Sequence, residues 1–316
     1  MNVFITGGGG FIGFNLISKL IKDTKYMVTV YGSKKNIVES SYVRYIDGNI
    51  LDYANLEKNI EGSDIVIHLA AIIEKTDINS DPIDFVKINI IGSLHVFNAC
   101  IKHNITKIIN LSSSSIYNDG SIMTREHENI SPDTYYGLSK YSSEQYLRVL
   151  HNKYKFNYVN IRTSIVYGFK DNSSRVLNKF INNCNNDRQL ILFKSDNNQI
   201  LDYIHVLDVC SFIIYCLTNV NNMNETLNIS GHEKTNVKDL ANTLKNIYKN
   251  EFNIDIKIII EDIDFGKNSL IKPTLKRPIY EIKGCSLSNE QVYLKTTWFP
   301  KYNLYDGILE YINSSN

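Results

Sequence analysis

Apolar residues recur along this chain with two periods, and the periods alternate. Val3-Phe4-Ile5 is a short β-branched and aromatic run, the composition of a buried strand. Phe11 to Ile21 then places apolar side chains at Phe11, Ile12, Leu16, Ile17, Leu20 and Ile21, which is helical spacing. The same alternation continues. Met27 to Tyr31 reads as a strand, Tyr42 to Ile46 as another, and Asp52 to Ile60 as a short amphipathic helix. Asp64 to Leu69 is a strand, and Pro82 to His103 a long helix with proline in its first turn. Lys107 to Leu111 and Tyr158 to Ile161 are strands on either side of a long helix from Thr134 to Lys153. Strands this apolar, alternating with helices, predict an α/β fold with a doubly wound parallel sheet covered on both faces. The crossovers are expected to be right-handed.

Past Tyr167 the pattern loosens. Val176 to Asn183 looks helical and Leu190 to Phe193 extended, and Tyr203 to Leu217 reads as a strand running into a helix. Leu227 to Ile229 and Lys257 to Ile260 are short strands, and Asn236 N-caps a helix to Tyr248. This predicts a first domain over 1–168, to which a segment near 201–220 returns, and a smaller α+β lobe over 169–316. Asn182 to Asn186 is expected to be a solvent loop. Trp298-Phe299-Pro300 is expected to close the core of the small lobe.

Between the first strand and the first helix lie Thr6-Gly7-Gly8-Gly9-Gly10-Phe11-Ile12-Gly13. Gly7, Gly10 and Gly13 recur every third residue. A sharp strand-to-helix turn needs glycine for positive φ, for close approach to a pyrophosphate and for packing of helix on sheet. The helix N-terminus then offers free N–H groups to the phosphates. In such a fold an acidic residue ending the second strand binds the ribose 2′-OH. Here that strand ends Tyr31-Gly32-Ser33-Lys34-Lys35, with no acid and two lysines. The expected cofactor is therefore NADP, with NAD as the alternative.

Bulk composition narrows the field. The 316 residues are 43% hydrophobic with net charge +1, so nothing suggests a nucleic-acid or membrane surface. Cys100, Cys184, Cys210, Cys216 and Cys285 form no CxxC pair, and no cluster has metal-ligand spacing, so no metal is expected. No apolar run reaches the roughly 18 to 20 residues of a membrane span. The opening strand leaves no room for a signal peptide, so a cytoplasmic protein is expected.

Tyr136-Gly137-Leu138-Ser139-Lys140 puts a phenol and an ammonium four residues apart, on one helical face. A neighbouring lysine favours phenolate and makes the phenol useful in acid–base work. The preceding strand ends Asn110-Leu111-Ser112-Ser113-Ser114-Ser115-Ile116-Tyr117, so hydroxyls stand at the carboxyl edge where open α/β sheets bind ligands.

With these motifs in order, the chain resembles the extended short-chain dehydrogenase/reductase superfamily, specifically its nucleotide-sugar epimerases, dehydratases and ketoreductases. The resemblance covers essentially the whole chain. It includes Gly48-Asn49-Ile50, His68-Leu69-Ala70-Ala71, Asn89-Ile90-Ile91-Gly92, Ile161-Arg162 to Gly168, Asp202 to Asp208 and Arg277-Pro278. It implies a Rossmann-type sheet and a nucleotide-sugar substrate in the cleft below the small lobe. Tyr136 would be the catalytic acid/base, Lys140 would hold the cofactor ribose and lower the phenol's pKa, and Ser113 would polarise the sugar oxygen. Gly7, Gly10, Phe11, Ile12 and Gly13 would line the pyrophosphate, with Ser33 and Lys34 at the ribose, Asn49 and Ile50 at the adenine, and Ala70 along the cofactor. Ser113, Ser114 and Arg277 would touch substrate. A homodimer through the helices at 82–103 and 134–153 is implied as well.

Departures from the family pattern refine the reading. Dehydratases carry Asp-Glu after the first hydroxyl residue, where Ser114 and Ser115 stand here, so dehydration is not expected. Ile165 and Leu201 replace an asparagine and an arginine of the diphosphate grip. His205 and His68 are expected to be structural. The expectation is reduction of a 4-keto-6-deoxy sugar nucleotide by hydride transfer. The alternatives are a 4-epimerase with tightly bound NAD and a non-catalytic cofactor-binding protein.

Overall fold

Four of the five residues of β1 (Asn2–Thr6) are buried, because the strand runs through the middle of a sheet with helices on both sides. The computed structural model describes residues 1–33, 35–73, 81–193, 199–219, 223–261 and 284–315. After β1 come α1 (Phe11–Leu20), β2 (Met27–Tyr31), β3 (Val43–Ile46), α2 (Tyr53–Ile60) and β4 (Ile65–His68). The span from Pro82 to Lys102 departs from a single helix. It is α3 (Pro82–Asp84), a wide π-helical stretch (Phe85–Ile91), and α4 (Gly92–Lys102). The buried Asn89 lies in the wide stretch, and such bulges often mark functional positions. Then follow β5 (Lys107–Leu111), α5 (Tyr135–Tyr154, capped by the Thr134 side chain) and β6 (Asn157–Thr163).

Next in the chain are β7 (Ile165–Tyr167), α6 (Val176–Asn186), β8 (Gln189–Phe193), β9 (Leu201–His205) and α7 (Val206–Asn219). The remainder is β10 (Glu225–Ile229), β11 (Lys234–Thr235), α8 (Val237–Phe252), β12 (Lys257–Glu261), α9 (Glu290–Lys295) and α10 (Leu304–Ser315). The main sheet has seven strands in the order β10-β6-β5-β4-β1-β2-β3, every pair parallel. The order reverses between β1 and β4, which opens a crevice at the carboxyl edge.

Alternate residues of each strand supply the two cores flanking this sheet. Val3, Ile5, Ile65, Ile67 and Ile109 face α1 and α7, where Leu16, Ile17, Phe212 and Ile213 complete the cluster. Phe4, Val66 and Ile108 face the other side with Leu56, Val96, Phe97 and Leu147. Both faces are covered, so the strands read as largely apolar runs, interrupted by buried His68, Asn110, Asn160 and Arg162. Each such side chain contributes roughly 1.5–3 kcal/mol by leaving water.

A third core joins β7 and β9 to α6, α8 and α10, with Leu177, Leu240, Leu244 and Ile308 at its centre. Two readings of this half are corrected. Asn182–Asn186 is the last part of α6 rather than a loop, because Ile181 and Cys184 on its inner side reach this core. Trp298 belongs to the sheet's own core and not to the smaller one. Its ring lies 4.9 Å from Phe212 of α7 and its Nε1 donates to Ser211 at 2.7 Å.

Candidate functional site

The glycine turn is closed by backbone. Gly7 has φ +72, and a methyl group there would stand 2.6 Å from the Ala70 nitrogen, so only glycine lets β1 turn against the chain after β4. The Gly7 N–H donates to Tyr31 O (3.1 Å) and the Gly10 N–H to Gly7 O (3.0 Å). Gly10 then caps α1 without any side-chain partner, and the first turn of Phe11, Ile12 and Gly13 holds no acid. Free helical N–H groups in a cradle without carboxylates fit the pyrophosphate of a dinucleotide.

Ser33 closes over this loop. A methyl group on Gly9 would meet its carbonyl oxygen at 2.1 Å, and Asn36 Nδ2 donates to Gly9 O at 2.9 Å. Asn49 accepts from Tyr31 through its carbonyl (3.2 Å), and Ile50 is buried against Gly92. Gly7, Ser33, Asn49 and Ala70 thus gather along the carboxyl ends of β1 to β4. Lys34 and Arg277 lie outside the described residues.

The chemical centre stands at the next strand. Ser113 caps a short 3₁₀ turn, Ser114–Ile116, by accepting from the Ser115 N–H at 3.1 Å. The N-terminus of α5 abuts that turn so closely that a methyl group on Gly137 would lie 2.0 Å from Ser115 O. This approach brings the Tyr136 phenol within the influence of the Ser113 hydroxyl. Tyr136 keeps part of its surface open to the cleft while protein atoms surround it densely. Burial raises its pKa, and the Ser113 hydroxyl and the Arg175 guanidinium pull it back down. Lys140, one helical turn on, is buried, which pushes its pKa down to about 8 against the opposing pull of Glu144. Its charge also faces His68, whose pKa falls to about 3 through burial and that repulsion. His68 is therefore neutral and structural, bonded to Thr6 Oγ1 (2.7 Å) and Ser93 Oγ (2.8 Å).

Two residues that matter here were given no role from the sequence, Asn89 although it lies in a recognised motif and Arg175 in none. Asn89 spans Ile72 N (2.8 Å), Ile72 O (2.9 Å) and Ser139 Oγ (2.9 Å), tying the loop beyond Ala70 to α5. Arg175 precedes α6 and donates to Val166 O at 3.3 Å. Its helical spacing to other residues is unremarkable, so only the fold reveals that its charge reaches Tyr136. Leu201 is buried in the third core, with Ile165 packed beside it, so neither offers a polar group to a phosphate. His205, the last residue of β9, packs on Tyr167 and Tyr302, 3.0 Å from the Glu310 carboxylate, in that same core. Among the described residues no group of three or more His, Cys, Asp or Glu could hold a metal ion, and no helix is long and apolar enough to cross a membrane.

Known proteins resemble this chain in sequence and fold. A Methanocaldococcus jannaschii protein, provisionally assigned as a UDP-glucose 4-epimerase, is 30% identical over 321 residues, covering 98% of this chain and 97% of that one. The structure of a UDP-N-acetylglucosamine 4-epimerase from Methanobrevibacter ruminantium, solved with UDP-N-acetylmuramic acid, superposes with a TM-score of 0.80 at 28% identity, covering 99% and 97% of the two chains. A Thermotoga maritima UDP-glucose 4-epimerase solved with UDP-glucose gives 0.80 at 26% identity, covering 100% and 98%. Residues 3–230, which include the glycine turn, the serine turn and the Tyr136–Lys140 helix, match one family along their whole length. The chain is a member of the NAD dependent epimerase/dehydratase family of enzymes.

Proposed function

We propose that this protein oxidises or reduces a ring carbon of a nucleotide sugar, with Tyr136 as the acid/base. The observation that carries this reading is the close approach of α5 to the serine turn at Gly137, which sets the Tyr136 phenol under the influence of the Ser113 hydroxyl with buried Lys140 one turn away. A bound nicotinamide dinucleotide supplies the hydride acceptor or donor. Tyr136 takes the proton of the sugar hydroxyl as that carbon is oxidised, and returns it as the carbonyl is reduced. Ser113 Oγ donates to the same oxygen and stabilises its developing charge, with Ser114 beside it. Lys140 holds the cofactor ribose. Gly7, Gly10 and Gly13 line the pyrophosphate, and Asn49 and Ile50 flank the adenine. Arg175 takes the acidic group of the substrate that Leu201 and Ile165 cannot hold. Arg175→Met is expected to raise KM for the nucleotide sugar about tenfold with kcat changed far less.

Two outcomes share this chemistry. Reduction of a 4-keto-6-deoxy sugar by NADPH is supported by the end of β2, where Tyr31 is followed by Gly32 and Ser33 rather than an acidic residue. It is also supported by Ser114 and Ser115 in place of a dehydratase's acidic pair. Epimerisation at C4 with retained NAD is supported by the full-length 4-epimerase relatives. Incubating the enzyme with UDP-sugars and with a dTDP-4-keto-6-deoxy sugar, with NADPH or NADH, separates them. Loss of NADPH matched to product marks reduction, and inversion without net cofactor change marks epimerisation. No turnover of any of these with either cofactor sinks the reading.

The outer side of α5 supports a homodimer. Leu138 and Val149 are 52% and 53% exposed there, and Ile83, Val86 and Ile91 are exposed on the neighbouring helical span. Such an apolar stripe on a paired-helix surface fits a second copy of itself. Unpaired, buried Cys100, Cys184, Cys210 and Cys216 suit the reducing cytoplasm.

A further inference from the structure

The buried side of α5 is unusual for a helix against a sheet. Gly137, Ser139, Lys140, Ser143, Glu144 and Leu147 face inward, and only Leu147 is a large apolar residue. Apolar packing alone is non-directional and would leave such a helix free to slide or roll on the sheet. Something directional must fix it. Arg162, from β6, supplies a fork. Its Nε donates to Glu144 Oε1 at 3.0 Å and its Nη2 to Glu144 Oε2 at 2.6 Å. Both side chains are almost wholly buried, at 3% and 1% exposure. A two-point guanidinium–carboxylate pair fixes distance and angle together.

The same guanidinium reaches the other half of the centre. Its Nη1 donates to Tyr117 Oη at 2.7 Å and to Glu126 O at 2.5 Å. Tyr117 directly follows the Ser114–Ile116 turn and closes it through its N–H to Ser114 O at 3.0 Å. Its hydroxyl donates onward to Asn228 Oδ1 at 2.7 Å. One side chain therefore touches the helix that carries Tyr136 and Lys140, and also the segment that carries Ser113.

We propose that Arg162 is a positioning residue that sets the Ser113–Tyr136 spacing by clamping α5 through Glu144 and the serine turn through Tyr117. It touches no reacting atom itself. Gly137 permits the close approach of the two segments, and Arg162 selects one register from those that the approach allows. Lysine cannot replace it. A lysine can stay beside Glu144, but it is a point charge on a flexible stem and cannot also hold Tyr117 in a fixed fork. The inference rests on the acid/base reading of Tyr136, so one of its readouts is independent of turnover.

The test compares the wild-type chain with Arg162→Lys and with Tyr117→Phe, which leaves the Arg162–Glu144 pair intact. The first readout is steady-state kinetics on whichever nucleotide sugar turns over. The second is the near-ultraviolet phenolate titration of Tyr136, taken as the difference between each protein and its Tyr136→Phe counterpart. Arg175, the other charged group acting on that phenol, is unchanged throughout, so a shift reports a change in the packing of the phenol and the Ser113 hydroxyl, both of which the α5 register sets. Arg162→Lys is expected to lower kcat about tenfold while cofactor and sugar KM stay within about twofold. Tyr136 should then ionise at higher pH, since the Ser113 hydroxyl no longer pulls its pKa down. Tyr117→Phe should move both readouts in the same direction by a smaller factor, about threefold in kcat. If Arg162→Lys does not fold, Tyr117→Phe decides alone. Unchanged kcat in folded variants, or a Tyr136 titration that does not move, overturns the proposal. A wild-type protein that turns over no sugar, yet whose Tyr136 titration moves in the variants, keeps the clamp and removes the functional reading.

Discussion

At the turn from β1 to α1 the backbone touches backbone, with Gly7 against Ala70 and Gly9 against Ser33. At α5 one such contact recurs, Gly137 against Ser115, but the rest are side chain to side chain, through Glu144 with Arg162 and Asn89 with Ser139. Both places sit on the same carboxyl edge and serve the same proposed ligand pair. The difference is in what each can tolerate. A turn held by sterics fails when any atom is added. A helix held by buried polar pairs fails when a pairing group is removed, because the partner left behind keeps its desolvation cost. The cofactor end therefore depends on having nothing at particular positions, and the chemical end, beyond the bare Gly137, depends on having particular atoms as well.

Substitutions can break this comparison at either end. The largest expected effect is at the chemical end. Tyr136→Phe removes one oxygen and should cut turnover by about two orders of magnitude or more, with cofactor affinity nearly intact by fluorescence titration. Retained turnover would show that the phenol is not the acid/base. Next is the cofactor end. Gly7→Ala adds one carbon at φ +72 against the Ala70 backbone, and should weaken dinucleotide affinity about tenfold or more along with a lower Tm. Unchanged affinity would mean the turn is not the pyrophosphate cradle.

The smallest effect sharpens the contrast through pH. Lys140 has its pKa lowered to about 8 in the fold, chiefly by burial. Its ammonium is present below that pH and is lost above it, so kcat/KM of the free enzyme should fall on the alkaline side of about pH 8. Stability should respond with the opposite sign. Between about 8 and the ordinary lysine value the unfolded chain holds the proton and the folded chain does not, so this group's contribution to stability rises with pH, by at most about 1.4 kcal/mol per unit. Comparing Tm of the wild type with Lys140→Met across that window measures it. A difference that stays flat with pH would mean the amine is not buried as described.

Much of the architecture was legible in the chain's periodicity. Val3-Phe4-Ile5 and Ile65-Val66-Ile67 were readable as strands because both of their faces are covered, and burial of that kind leaves a continuous apolar run. The helix at 134–153 was readable too, though for a less obvious reason. Its exposed side is the apolar one, at Leu138, Tyr146 and Val149, and its inner side is polar. Periodicity identifies a two-sided helix without saying which side is inside. The errors came where a local cue competed with a distant contact. Asn182 to Asn186 has loop composition, yet Cys184 is drawn into the third core. Trp298 follows a small-lobe segment in sequence, yet Ser211 and Phe212 hold it on the sheet.

By itself, then, the order of residues determined the parallel sheet, the glycine turn and the presence of a serine, a tyrosine and a lysine on neighbouring elements, because each depends on spacings of a few residues. The tertiary structure alone decided what stands across from them. Glu144 and Arg162 are 18 residues apart, and Arg162 and Tyr117 are 45. The charge that reaches Tyr136 comes from Arg175, beyond two further strands. Contacts of that reach are set by how elements pack in space, and no short-range pattern encodes them.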